Sequence, residues 1–146
     1  DRMLKTDSQA GGEGSSGGFI LPEFNYCRDG LLTSGLIASM INTDGFKEIL
    51  AFMKDYQQKR TFIKMDLSLH DKILEKLYQK MKSEYSEISL IDGIKAIIDQ
   101  NSWVLIRKSN TEDIIRISAE SNSLDKVELL IKKIREQVEQ CYEQVK

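Results

Sequence analysis

The chain has 146 residues, enough for one ordinary domain or for a small domain joined to a piece of another. Hydrophobic residues at 40% and charged residues at 30% give the balance of a soluble globular chain, and no apolar run approaches the roughly 18 residues of a membrane span. A formal net charge of -2 lacks the basic surplus that nucleic-acid binding leaves, so neither nucleic acid nor membrane is expected as a partner. The first residues do not have the order of a signal peptide, and the expected compartment is the cytoplasm. Cys27 and Cys141 match neither a disulfide framework nor a zinc-ligand spacing and are read as free thiols.

Taken in chain order, the first unusual segment is GGEGSSGG, Gly11 to Gly18. Glu13 is a lone carboxylate among glycines, where the backbone can approach a ligand closely and the acid can accept from vicinal sugar hydroxyls. A plain connector is the alternative. The segment has neither the strand-GxGxxG-helix context of a dinucleotide site nor the Gly-Lys-Ser/Thr of a nucleoside triphosphate loop. Phe19, Ile20 and Leu21 suit a buried strand ended by Pro22. Asp29 stands as N-cap ahead of Leu31, Leu32, Leu36, Ile37, Met40 and Ile41, a helix expected to be buried on most sides. After the turn cluster Asn42 to Gly45, Phe46, Ile49, Leu50, Met53 and Tyr56 recur at helical spacing, predicting a second, antiparallel helix. The polar stretch Gln57 to Arg60 is the expected boundary, giving domains 1–58 and 59–146.

Beyond it Thr61 to Met65 reads as a strand, and Ser68 with Asp71 as an acidic capping box for a helix carrying Leu69, Ile73, Leu77, Met81 and Tyr85 on one face. Ile88 to Ile91 and Ile94 to Ile98 flank Asp92-Gly93, a strong hairpin signal. Trp103 to Arg107 and Ile114 to Glu120 are two more strands, joined by the loop KSNTED. In the terminal helix Leu124, Val127, Ile131, Ile134, Val138, Cys141 and Val145 form a stripe that predicts a core-facing helix over a sheet rather than a coiled-coil seam. The order is β-α-β-β-β-β-α and the class α+β. His70 is expected to be exposed near a helix start and Trp103 to be core. Asp66, Asp71, Asp92, Asp99 and Asp113 are dispersed, with no metal-loop spacing.

Arg107, Lys108, Ser109, Asn110, Thr111 and Arg116 gather three cations and three short hydrogen-bond donors around one hairpin loop. A phosphate monoester has the complementary needs, nearly two negative charges and three strong acceptor oxygens. Guanidinium forks, hydroxyls and loop amides can converge on it. A solvated hairpin whose Ser, Asn and Thr serve only the turn is the other reading.

Together GGEGSSGG, RDGLLTSGLIASMI and WVLIRKSNTEDIIRISAES resemble the α-D-phosphohexomutases, the group of phosphoglucomutases, phosphomannomutases and phosphoglucosamine mutases, nearly end to end. Glu13 matches the acid of the Gly-Glu-x-Ser-Gly sugar loop, and Arg107, Ser109, Asn110 and Thr111 match the Arg-x-Ser-Asn/Gly-Thr phosphate loop. There is one residue more than usual before Gly17, so either Ser15 or Ser16 is the sugar-contacting serine. Lys108 and Asp113 stand where phosphoglucosamine mutases usually have prolines, an exchange expected to loosen the loop. The resemblance implies the end of an α/β third domain, beginning with the close of a helix over Asp1 to Gln9, and a whole fourth domain resembling the TATA-binding protein. It implies an isomerase of carbohydrate metabolism moving a phosphoryl group between the 1- and 6-positions of a hexose through a bisphosphorylated sugar. The partners implied are a hexose phosphate, a hexose bisphosphate and the N-terminal domains of the same enzyme. The phosphoserine loop and the magnesium loop have no counterpart here, so no catalytic residue, metal ligand or independent activity is expected of this chain. A non-catalytic sugar-phosphate-binding module is the alternative.

Overall fold

The computed structural model describes residues 2–13 and 18–146. They divide into two compact units, Asp1–Phe52 and Met53–Lys146.

The first unit opens with a short helix α1, Arg2–Thr6, and an antiparallel ribbon of β1, Gly11–Glu13, and β2, Gly18–Ile20. A Cβ at Gly11 would fall 2.4 Å from the Met3 sulfur, so a larger residue there would have to push the Met3 side chain aside. The apolar run Phe19 to Leu21 is thus strand only to Ile20, and it is half-buried rather than buried, since its one partner is a three-residue strand. Helix α2, Gly30–Met40, starts where Asp29 caps it: the carboxylate accepts from the Leu32 amide at 2.9 Å, and the Asp29 amide donates back to the Phe19 carbonyl at 3.1 Å. Helix α3 follows over Asp44–Lys54. The expectation of a helix buried on most sides does not hold: no residue of α2 or α3 is buried. An apolar helix is covered only where another surface meets it, and a six-residue ribbon supplies very little of one.

The second unit is built as β-α-β-β-β-β-α. Its strands are β3, Gln57–Lys64; β4, Glu87–Ser89; β5, Ile94–Asp99; β6, Ser102–Lys108; and β7, Ile114–Ser121. All pairs are antiparallel, in the order β3-β7-β6-β5-β4. Helix α4, His70–Glu84, follows a 3-10 turn at Leu67–Leu69, and α5, Leu124–Glu143, closes the fold. Successive strand residues face opposite sides, and Ile63, Ile94, Ala96, Val104, Ile106, Ile115, Ile117 and Ala119 point to one of them. There they meet Ile73, Leu77 and Met81 of α4 and Val127, Leu130, Ile131, Ile134, Val138 and Cys141 of α5. The terminal stripe is therefore core-facing.

Several details differ from expectation. Gln57 to Arg60, expected as the boundary ahead of a strand at Thr61, is the first half of β3 itself, paired with Ser121 to Ser118 of β7. It lies at the sheet edge, where exposed polar side chains are tolerated, so it carries no apolar alternation. Ser68 is not the cap. Asp66 accepts from the Ser68 amide at 2.8 Å and from its hydroxyl at 2.7 Å, and these bonds hold the Asp66 carboxyl below the usual range. Asp71 is drawn elsewhere, to Lys108. His70 is buried, its Nε2 donating to the Met65 carbonyl at 3.0 Å, and Trp103 lies half-buried on the face away from the helices, donating to Glu120 at 2.9 Å. The connection from β4 to β5 takes four residues, 90–93, rather than Asp92-Gly93 alone.

Candidate functional site

Strands β6 and β7 carry Arg107 and Arg116 to directly opposite positions on the helix-free face. Phe62 of β3 stands opposite Arg116 on the same face, so one row across three strands reads Phe62, Arg116, Arg107. Like charges opposite one another repel, and the structure relieves this by giving each guanidinium its own carboxylate. Arg107 Nη1 lies 2.8 Å from Asp92 Oδ2, and Arg116 Nη2 lies 2.6 Å from Glu112 Oε2.

Asp92 reaches Arg107 because of the residue that follows it. Gly93 has φ +93, and a Cβ there would fall 2.3 Å from the Ile106 carbonyl oxygen and 2.8 Å from Arg107 Cβ. Only glycine adopts that backbone against such a close neighbour without strain. The sequence marked Asp92-Gly93 as a turn. It gave no sign that the turn rests on Arg107.

The loop between β6 and β7 is organised by Ser109, which is buried. Its amide donates to the Ile114 carbonyl at 3.0 Å, and its Oγ accepts from the amides of Glu112, at 3.2 Å, and Thr111, at 3.4 Å. The hydroxyl is thus engaged in shaping the loop, while Asn110 and Thr111 are exposed at its tip. Lys108 faces the other way, its Nζ 2.5 Å from Asp71 Oδ1 at the start of α4. Asp113 accepts from the Leu67 amide at 3.2 Å through its carboxylate and from the Met65 amide at 2.9 Å through its carbonyl. Lys108 and Asp113 therefore tether the loop to the β3–α4 corner instead of loosening it. Of the sequence-predicted phosphate ligands, the structure brings Arg107 and Arg116 together on one face, with Asn110 and Thr111 at the adjoining tip.

Glu13 contributes its backbone to the end of β1 opposite Gly18, and Ser15 and Ser16 lie outside the described residues. Among the described residues no three His, Cys, Asp or Glu side chains gather as a metal ion would require, and no helix is long and apolar enough to cross a membrane.

Two family models match the chain: "Phosphoglucomutase/phosphomannomutase, C-terminal domain" over residues 53–137, and "Phosphoglucomutase/phosphomannomutase, alpha/beta/alpha domain III" over residues 1–58. The chain belongs to the phosphoglucomutase/phosphomannomutase family. Within that family it corresponds to the C-terminal part. It is 36% identical over 140 residues to a probable phosphoglucosamine mutase of Pyrococcus furiosus, covering 93% of this chain and 30% of that one. It is 34% identical over 121 residues to a probable phosphoglucosamine mutase of Methanococcoides burtonii, covering 83% and 27%. A phosphoglucosamine/phosphogalactosamine mutase of Sulfurisphaera tokodaii is 33% identical over 129 residues. The chain thus spans under a third of the length of these relatives. Its fold matches that of a phosphoglucomutase/phosphomannomutase family protein from Burkholderia thailandensis with a TM-score of 0.73 over 96% of this chain, at 17% identity.

Proposed function

We propose that this chain is the substrate-binding C-terminal portion of a phosphohexomutase that interconverts hexose 1-phosphates and hexose 6-phosphates through a bisphosphorylated sugar. The observation carrying this is the pair Arg107 and Arg116, opposite one another on adjacent strands beside an exposed Asn110–Thr111 tip. Such a pair suits a dianion, since planar guanidinium forks match phosphate oxygens. In this reading the hairpin holds the phosphate that is not reacting, in either orientation of the sugar. Glu13, with Ser15 or Ser16, grips the sugar hydroxyls. The phosphoryl-carrying serine and the ligands of magnesium belong to parts of the enzyme outside this chain, and this chain alone does not turn over. The names of the relatives favour an amino-hexose phosphate among the candidate substrates.

Hydrogen bonds to charged groups are worth roughly 1.5 to 3 kcal/mol, so Arg107→Ala in the intact protein is expected to weaken hexose phosphate binding by about one to two powers of ten. Arg107→Lys restores charge but not the fork and recovers only part. Titration of a hexose phosphate, with folding checked by thermal melting, measures both. Unchanged affinity in Arg107→Ala places the phosphate elsewhere.

A further inference from the structure

The arginine pair is not an open cationic site. Asp92 and Glu112 each occupy one guanidinium, so the two positive charges at the hairpin mouth are matched by two negative ones. The carboxylates arrive from different connections, Asp92 from the β4–β5 turn and Glu112 from the β6–β7 loop, and both are more exposed than the arginines they pair with. The third cation of the hairpin, Lys108, is turned to Asp71 on the opposite side.

We infer that Asp92 and Glu112 are internal counter-anions of the phosphate site, which a phosphate must displace from Arg107 and Arg116, and that they set its affinity low enough for exchange. This rests on the phosphate-binding reading above and adds to it how the site releases its ligand. Two opposing effects decide the sign. As aligning groups the acids would hold the guanidinium forks ready, but ion pairs this exposed hold side chains weakly. As charges, they lie beside any anion that takes the same forks, and repulsion of a dianion by a carboxylate about 5 Å away outweighs that weak alignment even in water. The acids therefore lower affinity. An enzyme that must let one phosphate go and accept the other end of the same sugar gains from such a site.

The geometry permits a clean test. Gly93, not the Asp92 charge, sets the backbone of the turn, and asparagine has the shape of aspartate, so Asp92→Asn removes charge and little else. Glu112→Gln keeps the backbone amide that donates to Ser109. Inorganic phosphate titrated calorimetrically into the intact protein at low salt is expected to bind about three- to tenfold more tightly in either variant. The double variant should bind more tightly still, with a steeper loss of affinity on adding salt. Asp92→Ser serves if the amide perturbs folding. Unchanged or weaker binding in a single variant, while Arg107→Ala weakens binding as expected, overturns the counter-anion role of that residue and leaves the phosphate site standing. Unchanged binding in both Arg107→Ala and Arg116→Ala overturns the site itself and this inference with it.

Discussion

Leu31 and Leu77 are both helical leucines, yet Leu31 is 88% exposed and Leu77 is fully buried. The difference lies in what each helix is offered. The Met53–Lys146 unit presents α4 and α5 with one face of a five-stranded sheet, and eighteen hydrophobic side chains close into a core. The Asp1–Phe52 unit offers its helices a ribbon of two three-residue strands, and α2 and α3 have no fully buried residue, Leu32, Leu36 and Phe46 being half-buried. Periodicity specifies the kind of element and the stripe it needs to cover. It does not supply the cover.

That contrast makes graded predictions. Leu77→Ala should cost about 2–5 kcal/mol, the range for emptying a closed core, read by urea unfolding followed through Trp103 fluorescence. A much smaller loss would mean that the second unit is packed as loosely as the first.

The next effect is electrostatic and also confined to the second unit. Lys133 donates to Glu84 at 2.8 Å, and this bond holds the Glu84 carboxyl below its ordinary 4.5. A lowered acid contributes stability that is present above its unfolded value and lost as pH falls through the folded one. The same pair raises Lys133, whose share is present below its ordinary 10.5 and lost as pH rises through the folded value. Below pH 4.5 the wild type should therefore lose up to about 1 kcal/mol that Glu84→Gln never had. Parallel acid melts of the two proteins would remove this pair from the account.

The smallest effect belongs to the first unit: in the 146-residue chain Leu31→Ser should change stability by less than about 0.5 kcal/mol, as at ordinary surface sites. Helix loss on heating, followed by far-ultraviolet circular dichroism, measures it. A loss comparable to that of Leu77→Ala would show that α2 is covered and would break the comparison.

The second unit was the more legible because its sheet has one covered face, which writes alternation into β7, apolar runs into β5 and β6, and a stripe into α4 and α5. Where covering is absent or the partner is local, the text fails. Gln57 to Arg60 shows no alternation because an edge strand can expose its side chains. His70 is buried with its Nε2 bonded to a carbonyl five residues back, a local partner that leaves no pattern in the sequence. Asp66 and Ser68 are equally good capping types, and the intervening 3-10 turn decides between them. At the candidate site, composition marked the arginines, serine, asparagine and threonine. It could not mark Asp92 and Glu112 as their partners, because that pairing depends on the register of β6 with β7 and on how close the Gly93 turn comes to β6. The Lys108 and Asp113 tethers depend in the same way on where the β3–α4 corner falls.

The polar half of β3 has a consequence for self-association. One side of this eight-residue strand is bonded to β7, and among the described residues no strand pairs with its other side. Unpaired amides and carbonyls along such a margin are a template on which a strand of another molecule can lie down. Here the margin carries Arg60, Lys64 and Lys59, the last paired with Glu128 at 2.8 Å. A second copy docking along it would bring these cations against one another at strand spacing, where like charges repel. The opposite margin, β4, is only three residues long and offers a short template. The polar residues that hid the first half of this strand from a reading of apolar pattern, Lys59 and Arg60 among them, are thus residues that would oppose such docking.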